Sequence, residues 1–341
     1  MMSPRDEISR REALRLGAGA LGALAAGIGR ALHPSGVSAA MSGAGAAARA
    51  EAAHPAAVAA SSAQSDLILR TIPASGETIP AVGLGTWQTF DVGSDQDARA
   101  PLGEVLRLFH EMGGTVVDSS PMYGSSQEVL GDLAAANGLV DDLWVATKVW
   151  IRGQEAGREQ MRDSMTLLHR PEHLELMQIH NLRDWELHLE TLEEWKAEGR
   201  FDYIGITTSS ERQYDDVAAI LEAESDRIDF LQINYSLGER RSAERILPMA
   251  RERGVAVMIN RPFAGGRLFG AVEGRELPDW ASEFDAAAWS QLFLKYVLSH
   301  PAVTVAIPAT SDPTHLVENM GALRGDLPDA ELRQRMEEVV G

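Results

Sequence analysis

The feature that most constrains this chain is a repeat of eight short apolar runs, each separated from the next by an amphipathic stretch with helical spacing. The runs lie at 81–84, 115–117, 143–146, 174–179, 203–206, 230–233, 255–259 and 303–307, and the helical stretches near 102–112, 126–136, 157–168, 185–197, 211–222, 243–253 and 286–298. Unbroken apolar runs fit strands covered on both faces, the signature of a parallel sheet wrapped by helices. Eight such runs alternating with helices predict an α/β fold, a closed (β/α)8 TIM barrel. Before the first run, segments 67–72 and 78–80 flank Ala74-Ser75-Gly76-Glu77, which predicts an N-terminal β-hairpin.

In such a barrel the chemistry sits where strands end, so the polar residues just after each run mark the candidate site. They are Thr86 and Trp87, Asp118, Lys148, His180, Thr207 and Thr208, Asn234, Asn260 and Arg261, and Thr310. The Gly-rich stretch 265–284, with Trp280, reads as a long substrate-facing loop.

A hydrophobic content of 45% in 341 residues is enough to bury a full-sized core. Acidic residues outnumber basic ones 50 to 31, a net charge of −19 that repels phosphate backbones and anionic lipid, so nucleic acid is not expected as a partner. The absence of cysteine excludes disulfides, thiolate metal sites and a cysteine nucleophile.

The first 65 residues read as a separate unit. Arg10-Arg11 precedes a weakly apolar run at 16–28, and no acid occurs between Glu12 and Glu51, a pattern that resembles a twin-arginine export signal. The run is too short to span a bilayer, so no stable membrane anchor is expected. Residues 31–65 are rich in Ala, Gly and Ser and read as a disordered linker. The expectation is a signal and linker over 1–65, a barrel domain over 66–341, and a partner in the twin-arginine machinery that exports the protein folded to the periplasm or beyond. Gly17-x-Gly19-x-x-Gly22 matches a dinucleotide fingerprint but lacks a preceding strand. His169-x-x-Glu172-His173 matches a zinc motif, but Pro171 interrupts the helix it would need, and no metal is expected.

Val117-Asp118-Ser119-Ser120-Pro121-Met122-Tyr123-Gly124, Thr147-Lys148 and Ile179-His180, together with Gly83-Leu84-Gly85-Thr86-Trp87, Tyr203-Ile204-Gly205-Ile206 and Ile307-Pro308-Ala309-Thr310-Ser311, closely resemble the aldo-keto reductase family. The resemblance covers nearly everything after residue 67. It implies a carbonyl reductase in which Asp118, Tyr123, Lys148 and His180 are catalytic. Tyr123 would be the general acid, its pKa lowered by Lys148, with Asp118 holding the lysine and His180 orienting the carbonyl oxygen. The alternative is a cofactor-binding sensor or interaction protein on the same barrel with negligible turnover.

The resemblance also implies a nicotinamide cofactor, NADP(H) in preference to NAD(H). Its nicotinamide would lie near Gly85, Thr86, Trp87 and Asp118, its carboxamide near Thr207, Thr208 and Gln232, and its diphosphate near Arg261, Pro262, Phe263, Ala264 and Gly265. Its adenine end would lie near Ile307, Thr310, Ser311, His315, Glu318 and Asn319. Trp87, Trp150 and His180 would face substrate. Two positions depart from the family pattern. Asn260 stands where an aromatic residue usually stacks on nicotinamide, leaving either Phe263 or Trp87 to compensate or the cofactor more weakly held. Ala309 and His315 stand where a Lys or Arg often pairs with the 2′-phosphate.

Overall fold

The computed structural model describes residues 66–340; the export motif, the linker and the Gly17 fingerprint lie outside the described residues. A hairpin opens the fold, with β1 (Leu69–Thr71) antiparallel to β2 (Thr78–Pro80). Gly76 takes the left-handed conformation its turn requires, at φ +81°.

Eight parallel strands follow in chain order: β3 (Leu84–Gly85), β4 (Val116–Asp118), β5 (Trp144–Val149), β6 (Leu174–His180), β7 (Phe201–Thr207), β8 (Phe230–Asn234), β9 (Ala256–Asn260) and β10 (Val303–Ala306). Bridges Val82↔Ala306 and Gly85↔Ala309 join the first of them to the last and close the barrel. Between strands run α1 (Gln96–Glu111), α2 (Ser126–Ala136), α3 (Gln154–Leu167), α4 (Trp185–Ala197), α5 (Tyr214–Glu224), α6 (Ser242–Glu252), the short α7 (Arg267–Ala271) and α8 (Trp289–Leu298). Two further helices, α9 (Pro313–Gly321) and α10 (Ala330–Val340), end the described chain.

Alternate strand residues separate into two cores. Leu106, Val145, Met177, Ile204, Leu231, Val257 and their neighbours fill the layer between sheet and helices. Trp144, Leu176, Tyr203, Phe230, Met258 and Val305 fill the barrel, where Ile72 and Ile79 of the hairpin join them and plug the end at which the strands begin. The Tyr203 hydroxyl donates to Glu77 Oε2 at 2.5 Å and lies 2.5 Å from Ser75 Oγ, pinning the plug. Gly205 lets β7 and β8 approach, since a Cβ there would sit 2.5 Å from the Phe230 carbonyl oxygen.

The structure extends several expected elements. Strands β5, β7 and β9 run past the apolar runs to include Lys148, Thr207 and Asn260, because ladder hydrogen bonds do not depend on side-chain polarity. Helix α1 starts at Gln96, where Asp95 caps it by accepting from the backbone N–H groups of Asp97 and Ala98 at 3.0 and 3.2 Å, and it carries Pro101 within its length. The stretch expected at 211–222 is split into a 3-10 turn, Glu211–Gln213, and α5. The expected long loop at 265–284 carries α7 and a 3-10 segment, Asp279–Phe284. Trp280 packs there on Phe284 and under Arg335, outside the cleft lining described below.

Candidate active site

Inward-facing positions near the strand ends bring Asp118, Lys148, Gln178, His180 and Gln232 together in the upper barrel. Lys148 is fully buried, and its ammonium donates to both carboxylate oxygens of Asp118, at 2.7 and 2.6 Å, and to the Ser119 carbonyl at 2.8 Å. Gln232 Nε2 donates to Asp118 Oδ1 at 2.8 Å and Gln178 Nε2 approaches the same oxygen at 3.4 Å. The carboxylate is thereby fixed from three strands. An isolated buried charge would be strongly disfavoured, and here each charge satisfies the other.

Tyr123 reaches this pair from the loop after β4. Lys148 Nζ lies 5.1 Å from the centre of its ring, and the His180 ring meets it edge-on with centres 5.8 Å apart. The four residues expected to be catalytic therefore converge. The expected direction of the tyrosine's acidity is corrected: burial, followed by the Asp118 carboxylate, holds the phenol well above its ordinary pKa rather than below it. Burial also lowers the Lys148 pKa, opposed by Asp118.

His180 is pushed down to about 3 by burial, then by the charges of Lys148 and Arg183, and is neutral at physiological pH. Its Nδ1 lies 3.0 Å from Ser120 Oγ. That oxygen also accepts the Met122 backbone N–H at 3.3 Å, so Ser120 fixes the orientation of the imidazole from its Nδ1 side.

A cleft of about 510 Å³ opens above these groups. Of the residues expected to bind cofactor or substrate, Gly85, Thr86, Trp87, Asp118, His180, Gln232, Asn260, Arg261, Pro262, Phe263, Gly265 and Ile307 line it. Thr207, Thr208 and Ala264 are buried behind the lining, and Thr310, Ser311, His315, Glu318 and Asn319 follow β10 outside it, Asn319 being buried on α9. Trp150 also stands outside the lining, its ring 6.3 Å from that of His180. Gln232 is committed to Asp118 and, through Oε1, to the Thr207 hydroxyl at 3.4 Å. Sequence reasoning did not single out Gln88, Thr89, Met122, Ser209 and Pro308 in the wall, whereas Gly266, Arg267 and Phe269 belong to the stretch 265–284 read as substrate-facing.

Several features of the wall fit a nicotinamide dinucleotide. Asn260 donates to the Thr208 carbonyl at 3.2 Å, while its Oδ1 is buried without a partner, as is Arg261 Nε. Gly265 and Gly266 are both left-handed, at φ +67° and +87°, and a Cβ on Gly266 would meet nothing, leaving room at that backbone for a large ligand group. Phe263 is engaged with Phe269, ring centres 4.9 Å apart, whereas Trp87 is 43% exposed and free to stack on a planar ring. Among the described residues, six of the eight non-glycine residues with positive φ (Gln88, Asn181, Leu182, Asp184, Arg261 and Ala264) lie in loops after β3, β6 and β9 at this mouth, where strain is commonly concentrated at functional sites.

His169 lies beyond the end of α3 beside Asp132 at 3.2 Å, and His173 lies 3.1 Å from Asp202, so the two histidines of the zinc-like motif share no helix.

The family model described as "Aldo/keto reductase family" matches residues 81–339. Methylglyoxal reductase YeaE of Escherichia coli is 28% identical over 273 residues, covering 77% of this chain and 92% of that protein. The crystal structure of a Klebsiella pneumoniae aldo-keto reductase in complex with NADPH superposes with a TM-score of 0.67 at 26% identity, covering 80% of this chain and 96% of that one. A second Klebsiella pneumoniae structure, in complex with NADP and acetate, gives 0.68 at 25% identity over 80% and 96% of the chains.

A depressed histidine pKa makes stability pH-dependent. Between about 3 and the ordinary value near 6.5 the unfolded chain binds a proton that folded His180 does not. Unfolding free energy is therefore full above that window and falls on acidification, by up to about 1.4 kcal/mol per pH unit. Urea unfolding at pH 7, 6 and 5 is expected to show a shallower decline for His180→Gln than for the wild type. His300, depressed to about 4, contributes equally to both proteins. Parallel declines would remove the burial cost assigned to His180.

Proposed function

The chain belongs to the aldo/keto reductase family, and we propose that it reduces a small aldehyde or ketone to an alcohol with NADP(H), Tyr123 supplying the proton. The observation that carries this reading is the buried Lys148–Asp118 pair beneath Tyr123, with neutral His180 beside it in one cleft. NADP(H) is favoured over NAD(H) because the two Klebsiella pneumoniae relatives were solved with NADP and NADPH.

When bound, the nicotinamide supplies the hydride. Thr86, Trp87, Asn260 and the Arg261–Gly266 turn would hold it, a reading supported by their position in or beside the cleft wall. Each protein residue then has a distinct task. Tyr123 keeps its proton until negative charge develops on the carbonyl oxygen, because its raised pKa keeps it fully protonated at neutral pH. Lys148 steadies the phenolate left behind, and at about 5 Å with an effective dielectric of about 20 such a pair gains roughly 3 kcal/mol. Asp118 keeps the lysine charged and fixed. His180 donates to the carbonyl oxygen and sets its direction. The rival reading, a sensor with negligible turnover, gains no support from a site in which all four groups are present and in contact.

The periplasmic or extracellular location remains part of the proposal, supported by Arg10-Arg11, the apolar run that follows and the acid-free stretch to Glu51. Replacing Arg10 and Arg11 together with Lys is expected to retain the protein in the cytoplasmic fraction; unchanged export would exclude the twin-arginine route. Tyr123→Phe is expected to bind NADPH with near wild-type affinity by fluorescence titration and to lose aldehyde reduction by a factor on the order of 10²–10⁴. Turnover equal to wild type would refute the role of Tyr123.

A further inference from the structure

The loop that follows His180 holds an arginine in a manner the proposed mechanism does not use. Asn181, Leu182 and Asp184 all adopt left-handed backbone, at φ +54°, +53° and +49°. Leucine rarely tolerates that region, and each such residue costs on the order of 1–3 kcal/mol unless its surroundings enforce it. Here they do. Asn181 Oδ1 accepts the Ser209 N–H at 3.3 Å, its carbonyl accepts Gln213 Nε2 at 3.0 Å, and Asp184 Oδ2 accepts the Gly153 N–H at 3.0 Å. The Arg183 N–H closes the turn on the His180 carbonyl at 3.3 Å.

This frame lays the Arg183 guanidinium over the face of Trp150, 4.4 Å from the ring centre, and the same indole ring lies 6.3 Å from the imidazole of His180. A single aromatic ring thus separates the guanidinium from the group that orients the carbonyl. No carboxylate pairs with Arg183 among the described residues. Its neighbour Asp184 is occupied by Gly153 and, at 3.7 Å, by Arg152. Most arginines among the described residues pair with an acid, whereas this half-buried, stacked guanidinium does not, and it stands at the edge of the cleft lining, one indole ring from His180. Stacking leaves the planar N–H fork free for two parallel hydrogen bonds to a carboxylate.

We propose that Arg183 is the substrate-recognition residue of this site and that the preferred substrates are short aldehydes or ketones bearing a carboxylate a few carbons from the carbonyl. The positive charge of Arg183 is felt at His180, whose pKa it helps to lower, which places the two groups within electrostatic reach. The inference rests on the reductase reading above.

The test compares succinic semialdehyde with butanal, which has the same chain length without the charge, following NADPH oxidation by the purified wild-type protein. A charge-assisted bidentate contact is expected to favour the acid in kcat/KM by about tenfold or more, expressed in KM. Raising ionic strength should raise KM for the acid and not for butanal, a readout that needs no variant. Arg183→Gln should collapse the ratio toward unity and Arg183→Lys should restore part of it. Equal use of the two aldehydes by the wild type, or a ratio that Arg183→Gln leaves unchanged, overturns the anion preference and leaves the reductase reading standing. Failure to oxidise NADPH with either aldehyde removes both.

Discussion

The chemistry of this barrel depends on one almost completely buried ion pair at the floor of the cleft. Lys148 and Asp118 sit at the ends of β5 and β4, with both carboxylate oxygens within 2.7 Å of the ammonium, and Gln232 and Gln178 brace the acid from β8 and β6. Breaking a buried pair by removing one partner typically costs about 3–5 kcal/mol, because the survivor is left charged and dry. The pair therefore constrains the register of its own two strands, and the two glutamines extend that constraint to β6 and β8. It also supplies a fixed positive charge under Tyr123 that needs no reorganisation when a phenolate forms.

Around this fixed centre the protein concentrates its irregular backbone. The strands are regular, the hairpin plug is pinned through Tyr203, and the strained residues gather in loops at the opposite end. The division follows from barrel geometry, in which ladder hydrogen bonds hold the strands while loops are free to adopt whatever conformation presents a side chain. Left-handed Arg261 and Ala264 shape the turn after β9, and left-handed Asn181, Leu182 and Asp184 shape the turn after β6.

Much of this was legible in the sequence, for identifiable reasons. Apolar runs at regular spacing report burial on both faces, so all eight strands could be located, and the polar residues closing those runs led to Asp118, Lys148 and His180. Gln178 escaped because it lies within an apolar run; its position two residues before His180, on the same face of β6, was the available signal. Ser120 escaped because only the folded loop brings it to His180 Nδ1. The sign of the Tyr123 shift could not be read from residue types, since it depends on how deeply the folded loop buries the phenol and how near it sets it to Asp118. The start of α1 was misplaced because Pro101 is a stronger local signal than the Asp95 cap that precedes it. The walls supplied by Arg267 and Phe269 belong to a helix of five residues, too short to leave a periodic trace.

The central claim is that the buried pair enables proton delivery to a carbonyl oxygen. Its most direct test is a stopped-flow single turnover, in which NADPH absorbance is followed after mixing the loaded protein with butanal. The comparison is between the wild type and an Asp118→Asn/Lys148→Met double variant, which removes both charges and so leaves neither one buried alone. The account predicts that the double variant folds and binds NADPH but oxidises it on the order of 10²–10⁴ times more slowly. Oxidation at the wild-type rate in the double variant would contradict it.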